Sequence, residues 1–181
     1  MNTDLSSLSM YERIVSLDQA VEIADELHSR DQSIVVTSGD FDLTHLGHAE
    51  LFDAASELGD VLFVGVSTNS WAKQRKGNDA PAIDEYGRML QVASIRGVGY
   101  VLLMEGEGIK VRMAKALGAD VIVDCEEHYT PEKEVRLQQA ARQVIFLPRF
   151  TGNSSTRLRG IVDAEVKTRG LTRDEVIYED V

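Results

Sequence analysis

The stretch SIVVTSGDFDLTHLGHAELF, residues 33–52, contains the pattern from which the fold can be predicted. Its first residues are apolar and mostly β-branched, as in a strand that is buried on both faces of a parallel sheet. A turn with a glycine follows. Residues 49–58 then have the apolar spacing of a helix. The stretch therefore predicts a strand, a loop and a helix in succession.

The same alternation continues on both sides of this unit. Before it, residues 17–29 are predicted to form a helix, whose start is marked by the capping-box pair Ser16 and Gln19. After it, segments of strand and helix character follow one another, with strands predicted at 60–67, 99–104, 120–124 and 144–148 and helices at 84–95, 108–118, 131–143 and 154–170. This order predicts right-handed crossovers and a doubly wound, five-stranded parallel sheet with helices on both faces.

Composition favours one domain over residues 1–181. We expect residues 1–14 to be disordered and residues 164–181 to form a C-terminal extension. The net charge of −11 argues against nucleic acid as a partner. The single cysteine, Cys125, excludes an internal disulfide, and the sequence has neither a membrane-length apolar stretch nor a signal pattern. We therefore expect a cytoplasmic protein without a membrane partner.

Parallel sheets bind ligands beyond the carboxyl ends of their strands, and three loops there carry unusual groups. In the first, residues 38–48, Gly39 permits a tight turn and Gly47 separates His45 from His48. If a helix begins near Leu46, both imidazoles could face its N-terminal end and bind a phosphoryl group. The alternative is that His45 caps the turn and His48 packs on the helix. A zinc site is less favoured, because a third ligand is not evident.

The other two loops carry basic and hydroxyl groups. The second, residues 67–83, contains a basic cluster that favours phosphate binding, although a solvated charged face would have the same composition: Lys73, Arg75 and Lys76. The third, residues 148–154, leads into a run of hydroxyl side chains and an arginine: Ser154, Ser155, Thr156 and Arg157. This run could bind a polyphosphate at a helix start, or it could simply cap that helix.

Two of these loops carry motifs of a known family. GDFDLTHLGH, residues 39–48, resembles the GxFDxxHxGH signature of the cytidylyltransferase-like nucleotidyltransferase superfamily, and NSSTR, residues 153–157, resembles its STTR-type motif. From Val15 to Val162 the chain is similar to bacterial enzymes that adenylylate heptose 1-phosphate. Glycerol-3-phosphate cytidylyltransferases and archaeal FAD synthetases share much of the pattern. The resemblance implies a Rossmann-like fold and the transfer of a nucleoside monophosphate, with release of pyrophosphate.

The resemblance also implies roles for single residues. His45 and His48 would contact the triphosphate and the developing charge at the α-phosphorus. Asp40 and Phe41 would lie along the nucleotide, and Gly39 and Gly47 would belong to the same nucleotide-binding site. Lys76 would bridge the α-phosphate and the acceptor phosphate. Lys73 and Arg75 are its alternates, and Arg88 would hold the substrate phosphate. The hydroxyl run and Arg157 would hold the β- and γ-phosphates. Mg²⁺ is expected on the phosphates, with no metal ligands from the protein, and relatives suggest a homodimer.

The chain departs from the family pattern at several charged positions. Asp40 stands where heptose-phosphate enzymes usually have a cysteine or a similar small residue. Their KGGD sequence after the fourth strand is replaced by DCEE, residues 124–127, so that a lysine becomes Asp124. We expect this loop near the base or the acceptor. ATP is favoured over CTP as the donor, and a sugar 1-phosphate over a polyol phosphate as the acceptor. A nucleotide-binding sensor or partner subunit without catalysis is the alternative of another class.

Overall fold

A computed structural model describes residues 5–77 and 79–148 of the chain. The described strands are β1 (Ile34–Gly39), β2 (Val61–Ser67), β3 (Val98–Met104), β4 (Val121–Cys125) and β5 (Gln143–Leu147). The described α-helices are α1 (Leu17–His28), α2 (Leu46–Ser56), α3 (Asn69–Lys76), α4 (Glu85–Ala93), α5 (Ile109–Leu117) and α6 (Pro131–Gln138). Two short 3₁₀ helices cover Leu5–Ser7 and Glu126–His128.

The five strands form a single sheet in the order β3-β2-β1-β4-β5, and all of their pairings are parallel. After β3 the chain crosses β2 and β1 to add β4 on the other side, so the strand order reverses between β1 and β4. This point is where open parallel sheets leave a crevice for a ligand.

The two faces of the sheet carry separate apolar cores. Ile34 and Val36 of β1 pack toward α1 and α5. Val35, which points the other way, packs toward α2 and α4. Because successive residues of a strand face opposite sides, a run without polar interruption is what burial on both faces requires. The predicted doubly wound fold with helices on both faces is confirmed.

Helix starts follow the capping chemistry of the sequence, with one addition. The Ser16 hydroxyl accepts from the Gln19 amide at 3.2 Å, and the Gln19 side chain accepts from the Ser16 amide at 2.9 Å, so the predicted capping box is confirmed.

The segment 67–83 was predicted to be a loop, and this is wrong for Asn69–Lys76, which form α3. The Thr68 hydroxyl caps it by accepting from the Trp71 amide at 3.2 Å.

Residues 5–14 lie against the edge strand β3, so the prediction of disorder is wrong for them. Ile14 forms a parallel bridge with Val101. The Val101 amide donates to the Arg13 carbonyl at 2.8 Å, and the Arg13 guanidinium donates to the Val98 carbonyl at 2.9 Å. The predicted closing helix and the extension 164–181 lie outside the described residues. None of the described helices is long and apolar enough to cross a membrane.

Candidate functional site

A cavity of about 610 Å³ lies at the carboxyl ends of the central strands. Its walls come from the ends of β1, β2 and β4 and from residues of α2, α3, α5 and α6. It therefore lies at the reversal of strand order, where the sequence predicted a binding site. The end of β4 and the acidic segment after it reach the cavity through Asp124, Cys125 and His128.

The loop after β1 has a strained backbone that is fixed by two buried side chains. Phe41 and Leu43 have φ angles of 49° and 50°, in the left-handed region that residues other than glycine seldom adopt. The Asp42 carboxylate accepts from the backbone amides of Ala82 and Ile83, at 3.0 Å and 3.1 Å. A Cβ atom on Gly39 would lie only 2.9 Å from Cζ of Phe41. The glycine is thus required by the packing of Phe41, and its own φ is not in the left-handed region.

The two histidines form a pair at the start of α2. His45 is the N-cap residue, and its ring stacks on that of His48 with centroids 3.9 Å apart. The His45 amide donates to Nδ1 of His48 at 3.4 Å, so the proton of a neutral His48 lies on Nε2. His48 lines the cavity, and the edge of the Phe41 ring packs against it. Capping and cavity lining are therefore combined in one motif.

His48 is neutral at neutral pH. Burial, followed by the nearby His45 and Lys76, lowers its pKa to about 4. A neutral imidazole with its proton on Nε2 donates a hydrogen bond to a phosphate oxygen without adding a full positive charge. Full charge at this end of the cavity is supplied by the cations of α3.

Asp40 gathers those cations into what we call the Asp40 cluster, which consists of Asp40, Ser67, Arg75 and Lys76. The Asp40 side chain is 4% exposed, and it pairs with Arg75 and with the Lys76 ammonium, the latter at 2.8 Å. The Ser67 hydroxyl donates to the same carboxylate. Burial alone would raise the pKa of Asp40, but the hydrogen bonds from Lys76 and Ser67 and the two positive charges hold it below its ordinary value.

Arg88 joins the strand ends below this cluster. It is 0% exposed, and its guanidinium donates to the carbonyls of Asp40, Ser67 and Ile83 and to the Asn69 side chain. Because these acceptors surround the group, Arg88 does not line the cavity. The predicted direct contact with a substrate phosphate is wrong for this geometry, in which Arg88 positions the backbone of Asp40 and Ser67.

The other predicted residues are distributed unevenly. Gly39, Asp40, Phe41, His48, Arg75 and Lys76 line the cavity. Lys73 is exposed on α3 and does not line it, whereas Trp71 of the same helix does. His45 is the N-cap residue of α2 and Gly47 lies in its first turn, and neither lines the cavity. Ser154, Ser155, Thr156 and Arg157 lie outside the described residues. Residues 5–77 and 79–148 contain no group of three or more potential metal ligands of the His, Cys, Asp and Glu types.

Sequence reasoning missed a second group of charges, the Asp124 cluster, which consists of Lys110, Asp124, His128 and Lys133. Asp124, at the end of β4, pairs with the ammonium groups of Lys110 at 3.0 Å and Lys133 at 2.7 Å, and Nδ1 of His128 lies 3.7 Å away. All four residues line the cavity. Burial opposes the charge on Asp124, but the nearby His128 and the two lysines hold its pKa well below its ordinary value.

These features define an α/β protein with a cavity at the switch point of a parallel sheet, and basic side chains line that cavity. The chain belongs to the cytidylyltransferase-like family, whose model matches residues 36–161. It is 34% identical over 147 residues to the bifunctional protein HldE of a Nitratiruptor species, a match that covers 81% of this chain and 31% of that protein. The bifunctional protein HldE of Helicobacter pylori (strain ATCC 700392 / 26695) is 34% identical over 120 residues, covering 66% of this chain and 25% of the relative. The chain spans less than a third of the length of these relatives.

Solved structures show the same fold at lower identity. A lipopolysaccharide core biosynthesis protein from Thermoplasma volcanium GSS1 superimposes with a TM-score of 0.53 at 23% identity, over 68% of this chain and 99% of that protein. A pantoate-beta-alanine ligase from Francisella tularensis superimposes with a TM-score of 0.58 at 14% identity, over 86% of this chain and 76% of the ligase. At these identities the likeness supports the fold alone.

Proposed function

We propose that this chain transfers a nucleoside monophosphate from a nucleoside triphosphate to a phosphorylated small molecule, with release of pyrophosphate. ATP is the favoured donor, and a sugar 1-phosphate such as a heptose 1-phosphate is the favoured acceptor. The observation that carries the proposal is the meeting of His48 with Arg75 and Lys76 in one cavity at the strand ends. Membership of the cytidylyltransferase-like family supports the same reaction class.

In this reaction an oxygen of the acceptor phosphate attacks the α-phosphorus, and the bond from that phosphorus to the bridging β-phosphate oxygen breaks. Pyrophosphate carries away the electron pair, so no covalent enzyme intermediate is needed. Catalysis then consists of positioning and of stabilising charge on the phosphoryl oxygens. Nε2–H of His48 would donate to an α-phosphate oxygen, and Lys76 would lie between the two reacting phosphates.

Asp40 must give up part of its contact with Arg75 and Lys76 before these cations can bind a phosphate. The side chains of Arg75 and Lys76 are 47% and 45% exposed, so both can turn from the carboxylate toward a ligand in the cavity. Each of these cations has several N–H donors, and a phosphate can therefore bind while Asp40 keeps one contact. Asp40 would thereby preorganise the cations.

Mg²⁺ would be held mainly by phosphate oxygens and water, as is usual for nucleotide enzymes. The carboxylates of Asp40 and Asp124 are each engaged by two cations. This donor chemistry fits a metal ion that arrives with the nucleotide. The ion would supply charge neutralisation on the triphosphate.

The direct test is the release of pyrophosphate from four nucleoside triphosphates with a panel of sugar and polyol phosphates. His48→Ala should lower kcat by about a hundredfold or more, as loss of a donor to transition-state charge does. His28→Ala is the matched control, because His28 lies at the end of α1, outside the cavity lining. Absence of pyrophosphate release across the whole panel would contradict the proposal.

A second candidate is a nucleotide-binding sensor or partner subunit that lacks catalysis. It is favoured by the carboxylate of Asp40, which already pairs with Arg75 and Lys76 of α3. Calorimetry would then show tight binding of a nucleoside triphosphate, without product at high protein concentration. Glycerol 3-phosphate and FAD-type products are the alternatives within the enzymatic proposal, and the same substrate panel separates them. The homodimer also stays a prediction, which light scattering would test.

A further inference from the structure

The Asp124 cluster contains more positive charge than its carboxylate can neutralise. Lys110 comes from α5, Lys133 from α6 and Asp124 from the end of β4, so three separate elements converge on one carboxylate. Two ammonium groups and one carboxylate leave a net charge of about +1. Each ammonium group has three donors, and its ion pair with Asp124 takes one of them.

The position of Lys110 is energetically unfavourable for a charged side chain, which is unexpected if its only role is to stabilise the fold. Its side chain is 12% exposed, and burial acts to lower its pKa. It also lies in the first turn of α5, where the helix dipole disfavours a positive charge. One lysine would be enough to pair with Asp124, and a buried ion pair by itself adds little to stability. A second cation at the cavity wall therefore indicates a negatively charged ligand.

Phosphate is the ligand chemistry that suits this geometry. Two ammonium groups held on one carboxylate present point charges at a fixed separation, and ammonium groups bind phosphate oxygens readily. A third cation, Arg136 of α6, also lines the cavity, and its guanidinium lies 3.6 Å from the Glu107 carboxylate. The cavity is continuous from this wall to His48 and Lys76.

We infer that Lys110 and Lys133, held in place by Asp124, form a second phosphate subsite in the cavity, separate from the one at His48 and Lys76. The inference rests on the proposed function in one respect, because a nucleotidyl transfer between two phosphorylated substrates requires cations for both. The phosphate can come from the acceptor or from the far end of the triphosphate. Both sources have the same chemistry, and kinetics separate them.

The first test is an NMR titration of the full chain with inorganic phosphate, which needs no turnover. Backbone amide shifts of Lys110 and Cys125 report the second subsite, and those of His48 report the first. Lys133→Gln should weaken phosphate binding at the Lys110 and Cys125 reporters by about tenfold or more and leave the His48 reporter unchanged. Lys115→Met is the matched control, since Lys115 is exposed on the same helix as Lys110.

A purely structural cluster gives a different result. In that case Lys133→Gln lowers Tm, but phosphate produces no saturable shifts at Lys110 or Cys125 in the wild-type protein. That outcome, or an equal phosphate affinity of Lys133→Gln and Lys115→Met, overturns the inference. Lys110→Met gives a second variant of the same cluster if Lys133→Gln does not fold.

Pyrophosphate-release kinetics then identify the source of the phosphate. If the subsite holds the acceptor, Lys133→Gln raises KM for the acceptor by about tenfold and leaves KM for the triphosphate unchanged. The converse pattern assigns it to the triphosphate. A protein that binds phosphate at Lys110 and Cys125 but releases no pyrophosphate would contradict the proposed reaction alone. A protein that turns over normally after Lys133→Gln would contradict the second subsite alone.

Discussion

The Asp40 and Asp124 clusters each contain one carboxylate and two basic side chains, and they differ in how far those basic side chains are exposed. Each places a carboxylate at the end of a central strand and gathers two cations around it. Arg75 and Lys76 are almost half exposed, whereas Lys110 and Lys133 are 12% and 27% exposed. The first pair of cations can therefore move toward a ligand, while the second pair is held in place. From this difference we expect that one end of the cavity moves during the proposed reaction and that the other end serves as a fixed receptor.

The largest effect should come from removing the mobile cation nearest the histidines. Lys76→Met should lower kcat by about 10² to 10³-fold, because a positive charge near the transferring phosphoryl group is lost. Lys73→Met on the same helix is exposed away from the cavity and should keep wild-type turnover. Steady-state pyrophosphate release measures both variants. Equal kcat values for them would remove Lys76 from the reaction and weaken the distinction between the two clusters.

The two carboxylates should differ in their contribution to stability. Asp124→Asn removes the buried carboxylate that pairs with two partly buried lysines and should lower the free energy of unfolding by about 3 kcal/mol. Asp40→Asn should cost about 1 kcal/mol, since solvent reaches its two cations and replaces part of the interaction. Urea denaturation of both variants measures the difference. A larger loss for Asp40→Asn would reverse the proposed assignment of the mobile and the fixed end.

Nucleotide binding should change more in Asp40→Asn than in Asp124→Asn, which is the reverse of the order expected for stability. Asp40→Asn removes a negative charge that competes with phosphate for Arg75 and Lys76, so the triphosphate should bind several-fold more tightly. Asp124→Asn disorders the two lysines of the fixed end and should not tighten binding. Isothermal calorimetry at constant ionic strength measures both. Weaker triphosphate binding by Asp40→Asn would mean that Asp40 acts only by positioning its cations.

The smallest effect is a difference in pH dependence. The pKa of His48 is lowered from 6.5 to about 4, so the unfolded chain takes up this proton first. Its contribution to stability is therefore complete above about pH 6.5 and is lost as the pH falls toward 4. Asp124 has a lowered pKa as well, and its contribution is present above its ordinary pKa of 3.8 and is lost only at lower pH. His48→Gln should flatten the stability profile between pH 6.5 and 4, as measured by urea denaturation, and Asp124→Asn should leave that slope in place.

Local patterns explain why most of the fold was predictable. The strand β1 is a short run of β-branched residues buried on both faces, and α1 carries its own capping pair, so each element could be recognised from neighbouring residues. The helix α3 was missed because its only buried residue is Ala72 and, apart from Trp71, its other residues are polar or charged. No apolar periodicity marks such a helix.

In the candidate site as well, the sequence predicted contacts between neighbouring residues and missed contacts between distant segments. His45 and His48 lie three residues apart at the start of one helix, so their pairing follows from local geometry. Lys110 and Lys133 belong to different helices, and each has the appearance of an ordinary surface charge in the sequence. Arg88 lies on a helix whose pattern does not reveal that its guanidinium is buried among carbonyl groups.

The sequence by itself determined the alternation of strands and helices, the turn after β1 and the histidine pair, since these depend on residues within a few positions of one another. Only the tertiary structure decided which charges meet. The strand order brings the end of β4 beside β1 and places α5 and α6 around Asp124. An ion pair between distant segments depends on how the whole chain packs, and that packing depends on burying apolar surface on both faces of the sheet at once.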